Sequence, residues 1–157
     1  MAIDNRKFLG GMILGLVVLV SGCADSKAVS VKAFPTGPGT VLLSVTSDAN
    51  EDPQSVNMAL TLAGFCLEEN YTVAIFFNVK GVQIPTTGFS EELAYGEHAP
   101  FKEQIRTLAE RGAEIHVCPV CMGDLGVEAK DIMESAFVTS KPKLFTHVGP
   151  HATVFSY

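Results

Sequence analysis

Basic residues are scarce and scattered in this sequence. Lys and Arg number 11 against 17 Asp and Glu, a formal net charge of −6. No basic cluster forms, which argues against a nucleic-acid footprint. Glycine is missing from residues 47–52, the loop after the first strand-like run, and Gly10-Gly11 falls in an N-terminal apolar stretch. Without a phosphate-cradling loop, nucleotide binding has no support. No histidine directly follows Cys121, so covalent c-type haem attachment is not indicated, and there is no second Cys-x-x-Cys. Internal repeats are absent, and so are low-complexity tracts beyond one short polar segment.

The N-terminus carries its own pattern. Arg6 and Lys7 precede an apolar run over 8–20, and Val20-Ser21-Gly22 leads with small residues into Cys23. That run is short for a membrane span, which needs about 20 residues. The segment resembles a bacterial lipoprotein signal peptide with its lipobox. By that resemblance residues 1–22 are removed and Cys23 becomes the lipid-modified first residue of an exported, membrane-anchored, periplasm-facing chain. An Asp after the cysteine favours inner-membrane retention in such lipoproteins, and Ala24 points instead to the outer membrane. Residues 23–39 are polar and rich in small residues and read as a tether. A single domain, 40–157, follows, long enough for a core of its own.

Within it, residues 41–46 and 71–77 are continuously apolar, as strands covered on both faces are. Pro53 suits a first helical turn, and Val56, Leu60, Ala63 and Leu67 recur at helical spacing over 54–70. A second helix is expected over 100–111, with Phe101, Ile105 and Leu108 inward, Lys102 and Arg106 elsewhere, and Gly112 as its stop. A third strand over 113–117 delivers Cys118. Short helical pieces are expected over 122–125 and 127–133, and extended segments over 136–139, 143–145 and 153–157. Residues 83–96 read as a loop long enough for a lid or a partner-facing excursion. This order predicts an α/β fold, a three-layer α/β/α sandwich around a mainly parallel sheet.

The chemistry concentrates in Cys118-Pro119-Val120-Cys121. Two sulfurs sit at a strand's carboxyl end, where open α/β sheets place ligands, and a thiol at a helix start is pushed toward thiolate. A reactive thiol pair, a structural disulfide and two buried thiols are all compatible with this spacing. His116 lies two residues before Cys118 and so on the same strand face; it is either an auxiliary to the thiol or a satisfied, partly buried histidine. Lys80 is either a solvated loop charge or an anion-steering group. Cys66 falls in a helical apolar pattern and reads as a buried small hydrophobe.

Taken together, the strand and loop over 41–52, the Pro53 helix, the strand ending in Lys80-Gly81-Val82, and Glu114-Ile115-His116-Val117-Cys118 leading to Leu125-Gly126-Val127 resemble the DsrE/DsrF-like family, which includes sulfur-relay subunits of the TusD type. The resemblance runs from about residue 40 to the C-terminus. It implies a flavodoxin-like or Rossmann-like fold, a homotrimer or higher homo-oligomer, and sulfur held as a persulfide on Cys118 between a donor and an acceptor. Cys121 stands where the sulfur-relay subunits usually have a small, non-thiol residue. No cofactor is implied. Two rival readings remain: zinc or copper held by Cys118, Cys121, His147 and His151, and a binding or assembly module with a closed disulfide. A thioredoxin-like oxidoreductase is disfavoured, because Val117 rather than an aromatic residue precedes Cys118.

Overall fold

Parallel pairing joins every neighbouring pair of strands in one five-stranded sheet of order β4-β3-β2-β1-β5. The centre consists of β1 (Thr40–Val45), β2 (Thr72–Phe77) and β3 (Glu114–Val117); β4 (Phe137–Val138) and β5 (Ala152–Ser156) are the edges. The computed structural model describes residues 38–157. The expected signal segment and nearly all of the tether lie outside the described residues.

Register explains the apolar runs. Leu43 pairs with Ile75 and Ile75 with Ile115, while Val45 pairs with Phe77 and Phe77 with Val117, so one sheet face is a continuous buried row. Leu42 and Ala74, pointing to the other face, are buried as well. A strand covered on both sides cannot alternate apolar with polar.

Helices α1 (Pro53–Glu68) and α2 (Phe101–Glu110) supply the main cover. Asp52 caps α1 by accepting from the Ser55 amide at 3.1 Å, with Pro53 at the first turn. Val56, Ala59, Leu60 and Ala63 then bury against the sheet with Phe101, Ile105 and Leu108 of α2. Helix α3 (Pro119–Leu125) stops at Gly126, whose φ of 69° is left-handed. The chain steps from β1 to β4 in one direction, and right-handed crossovers keep α1, α2 and α3 on one face. Return from one edge to the other puts α4 (Lys141–Phe145) on the opposite face, where Lys143 meets Glu114. The second layer is therefore thin.

Four expectations are corrected. Residues 143–145 are helical rather than extended, because Ser140 accepts from the Lys143 amide and Pro142 fits the first turn. The short helix expected over 122–125 reaches back to Pro119, in keeping with a thiol at a helix start, so Cys121 lies inside it. The piece over 127–133 is only a 3₁₀ turn, Ala129–Asp131. Lys102, placed off the apolar face of α2, is nonetheless 1% exposed: its ammonium donates to the carbonyls of Thr87 and Phe89, each at 3.2 Å, and pairs with Glu91 at 2.5 Å. Together with the Thr87 amide on the Asp131 carbonyl and the Met133 amide on the Pro85 carbonyl, it pins the long loop down rather than leaving a free lid.

Candidate functional site

The carboxyl edge of the sheet is built by three strand ends. The Cys118 amide donates to the Phe77 carbonyl at 3.0 Å, extending β3 alongside β2, and the Thr139 amide donates to the Val117 carbonyl at 2.9 Å. Cys118 is the N-cap of α3, extended at φ −72° and ψ 115°, and its thiol makes no capping bond. Its carbonyl accepts from the Met122 amide, and buried Met122 anchors the helix against Val82 and Val117. Cys121 follows within the first turn. Both cysteines are half-buried and are free thiols.

The two sulfurs are not equivalent. Burial pushes the Cys121 thiol up, the Val79 amide opposes that by hydrogen-bonding the sulfur, and a hydrogen bond to Cys118 pushes it up further. Each of these causes but the Val79 amide favours the protonated thiol at Cys121.

The Val79 amide is held in place at a cost. Val79 has φ 48°, a left-handed conformation that costs a β-branched residue about 1–2 kcal/mol. It starts the 3₁₀ turn Val79–Gln83, where Gly81 packs so closely on β1 that a Cβ there would stand 2.3 Å from the Val45 carbonyl oxygen. Only glycine lets this turn sit on the sheet edge. Backbone strain of this kind clusters at active sites, ligand clamps and switch regions in proteins generally. Val79, Lys80, Cys121, Asp124 and Leu125 line an open cavity of about 260 Å³ there. A larger groove, about 610 Å³, lies between α2, the 87–91 loop and residues 133–135; both its cations, Lys102 and Arg106, pair with Glu91, and it holds no thiol.

Lys80 lies on the rim of the smaller cavity but is bonded to Glu51 at 2.6 Å, which raises its pKa. It faces Cys121, not Cys118. His116 is wholly buried and meets neither sulfur: its ring stacks edge-on against Phe137 and His147, and Nδ1 lies 2.9 Å from the Thr139 hydroxyl. Burial lowers its pKa to about 4, so it is neutral at pH 7 and brings no cation to the thiols. Neither expected role fits it fully, because Nε2 has no hydrogen-bond partner, a state that costs about 1–3 kcal/mol. Cys66 is buried in α1, and burial raises its pKa.

Cys118, Cys121, His147 and His151 are not brought together. The His151 carbonyl accepts from the Thr40 amide at the start of β1, whereas the cysteines follow the end of β3; a six-residue strand, about 20 Å, separates the two edges. His147 instead joins Glu114 and His116, whose ligand atoms lie within 4.8 Å of one another and form the one such cluster among the described residues. Glu114, Thr139 and Val79 escaped the sequence reading. Only Glu114, two residues before His116 on the same strand face, left a readable sign.

The profile of the DsrE/DsrF-like family matches residues 40–148. Among solved structures, the ychN protein of E. coli superimposes with a TM-score of 0.56 at 15% identity, covering 76% of this chain and 100% of that one. The protein MTH1491 of Methanobacterium thermoautotrophicum, titled as of unknown function, gives 0.60 at 11% identity, over 76% and 99%. At such identities the likeness is one of fold. No curated protein matches the chain in sequence.

Proposed function

The chain belongs to the DsrE/DsrF-like family, commonly a family of sulfur-relay proteins, and from that premise we propose that it is a membrane-tethered carrier holding sulfane sulfur as a persulfide on Cys118. The observation that carries the reading is the pairing at the sheet's carboxyl edge: a free, half-exposed Cys118 at a helix start, with a protonated Cys121 one turn on and an open cavity beside it.

The chemistry asks little else of the protein. The Cys118 thiolate attacks the outer sulfur of a donor persulfide, RS–SH. A new S–S bond forms, the donor's S–S bond breaks, RS⁻ leaves, and Cys118–S–SH remains with its proton on the outer sulfur. An acceptor thiolate then attacks that outer sulfur and releases the Cys118 thiolate, so the cycle has no net redox change. The Cys121 S–H donates to the Cys118 sulfur, and the cavity walled by Val79 and Leu125 opens beside Cys121. Attack by Cys121 on the inner sulfur would instead expel hydrosulfide and close a disulfide, which ends the cycle until a dithiol reductant reopens it.

Donor and acceptor are persulfide- and thiol-bearing proteins or small molecules. The tether is lipid on Cys23, placing the domain in the periplasm at the outer membrane. A homotrimer or larger homo-oligomer would cover Phe145, Val148 and Val154, which α4 and β5 leave exposed. Those same residues favour the second reading, an assembly module with a closed Cys118–Cys121 disulfide. Intact mass after polysulfide treatment separates the two. Carriage adds about 32 Da per sulfur in the parent chain and in Cys121→Ser but not in Cys118→Ser. A loss of about 2 Da with no sulfur adduct overturns it.

A further inference from the structure

At the other end of β3 the structure holds a group that sulfur chemistry does not use. Glu114 and His116 project from one face of the strand, and His147 reaches them from the segment after α4. The Glu114 Oε2 lies 3.3 Å from His116 Nε2 and 3.3 Å from His147 Nε2. Donor atoms around a tetrahedral zinc ion, bound at about 2.0–2.1 Å, stand about 3.3–3.4 Å apart. Two edges of that tetrahedron are therefore already set.

The protons point the same way. The Thr139 hydroxyl lies 2.9 Å from His116 Nδ1. With the proton on Nδ1, that hydroxyl accepts it and Nε2 presents a bare lone pair. That lone pair is buried, faces a carboxylate oxygen, and has no hydrogen-bond partner. A donor hydrogen bond from the far nitrogen is how metal-ligating histidines are oriented. Lys143 adds a second sign, since its ammonium lies 2.7 Å from the same Glu114 oxygen. A cation already sits against this carboxylate, carried on a half-exposed side chain that can swing away.

We propose that Glu114, His116 and His147 bind a borderline divalent ion of the zinc class, with Lys143 as the built-in cation that it displaces. Two imidazoles and one carboxylate suit zinc, and they do not suit calcium or magnesium, which take oxygen ligands. The bound ion would clamp the segment after α4 to β3, fastening the thin second layer. No thiol takes part.

The test uses the full-length chain with Cys118→Ser and Cys121→Ser, so its outcome is independent of sulfur carriage. Cobalt(II) is titrated as the spectroscopic probe and displaced with zinc. Expected are visible d–d bands saturating at one ion per chain, no near-ultraviolet sulfur-to-cobalt band, and a zinc-dependent rise in melting temperature. Glu114→Gln and His147→Gln should weaken binding more than about 100-fold, beyond what losing an outer-shell partner costs. Lys143→Gln, at an exposed position with little risk to folding, should tighten it about tenfold by removing the competing cation. Absence of saturable binding in folded protein, a sulfur-to-cobalt band, or unchanged affinity in Lys143→Gln would each overturn the proposal.

Discussion

Replacing Lys102 by methionine probes how the long loop beside the thiol site is held. The side chain is 1% exposed, and its ammonium serves the carbonyls of Thr87 and Phe89. Charge-assisted hydrogen bonds contribute about 1.5–3 kcal/mol each, a gross loss of about 3–6 kcal/mol. Methionine keeps the apolar stem, and no ammonium then has to be stripped of water, which returns roughly half. The net loss should be about 1.5–3 kcal/mol. Glu91 adds little, because it is exposed and keeps Arg106 at 2.8 Å. With a urea m-value of about 1.5 kcal/mol/M, the unfolding midpoint should fall by about 1–2 M. An acid signature accompanies it. Lys102, then Arg106, holds the Glu91 carboxyl below its ordinary 4.5, so the stability this contributes is present above pH 4.5 and fades as pH drops below. Lys102→Met should show a shallower acid limb. A midpoint within about 0.3 M of the parent would refute the reasoning.

Other outcomes follow from the site. Val79→Asn, by placing a residue tolerant of the left-handed region at φ 48°, should raise stability by about 1 kcal/mol in urea melts; a loss would mean the strain is illusory. Gly81→Ala, whose Cβ would stand 2.3 Å from the Val45 carbonyl oxygen, should cost about 1–3 kcal/mol and displace the amide that Cys121 uses; an unchanged melt contradicts the packing. Iodoacetamide at neutral pH should alkylate Cys118 before Cys121, with Cys121 reacting only as pH climbs past the ordinary thiol value of 9.0; peptide mapping that finds Cys121 first would reverse the assigned roles.

What the sequence discloses here divides by the range of the forces involved. Strands β1 and β2 announce themselves because a doubly covered parallel strand must be apolar throughout. Helix α1 is legible through Asp52, Pro53 and a period of four. The cysteines are legible too, since strand, Cys118, Pro119 and Gly126 mark a helix start and stop in local code. Helix α4 is not, because Leu144-Phe145 in a five-residue helix looks like a strand end. Burial of Lys102 depends on carbonyls in another segment, 13 and 15 residues away. His116 finds Thr139 only through the pairing of β4 beside β3, and His147 only through the segment after α4, so its spacing from Cys118 suggested a partner that the fold does not give it. Nor does valine's own preference hint at a positive φ; closure of the turn on β1 imposes it.

Sulfur handed on through Cys118 is the central claim, and isotopic transfer tests it most directly. The full-length chain is loaded with ³⁴S-labelled polysulfide, freed of excess reagent and mixed with a small thiol acceptor, and labelled persulfide on the acceptor is measured by mass spectrometry. The parent chain and Cys121→Ser should pass the label on and return unmodified, while Cys118→Ser should pass none. Label released only as sulfide with closure of a Cys118–Cys121 disulfide, or transfer that survives in Cys118→Ser, would contradict the account.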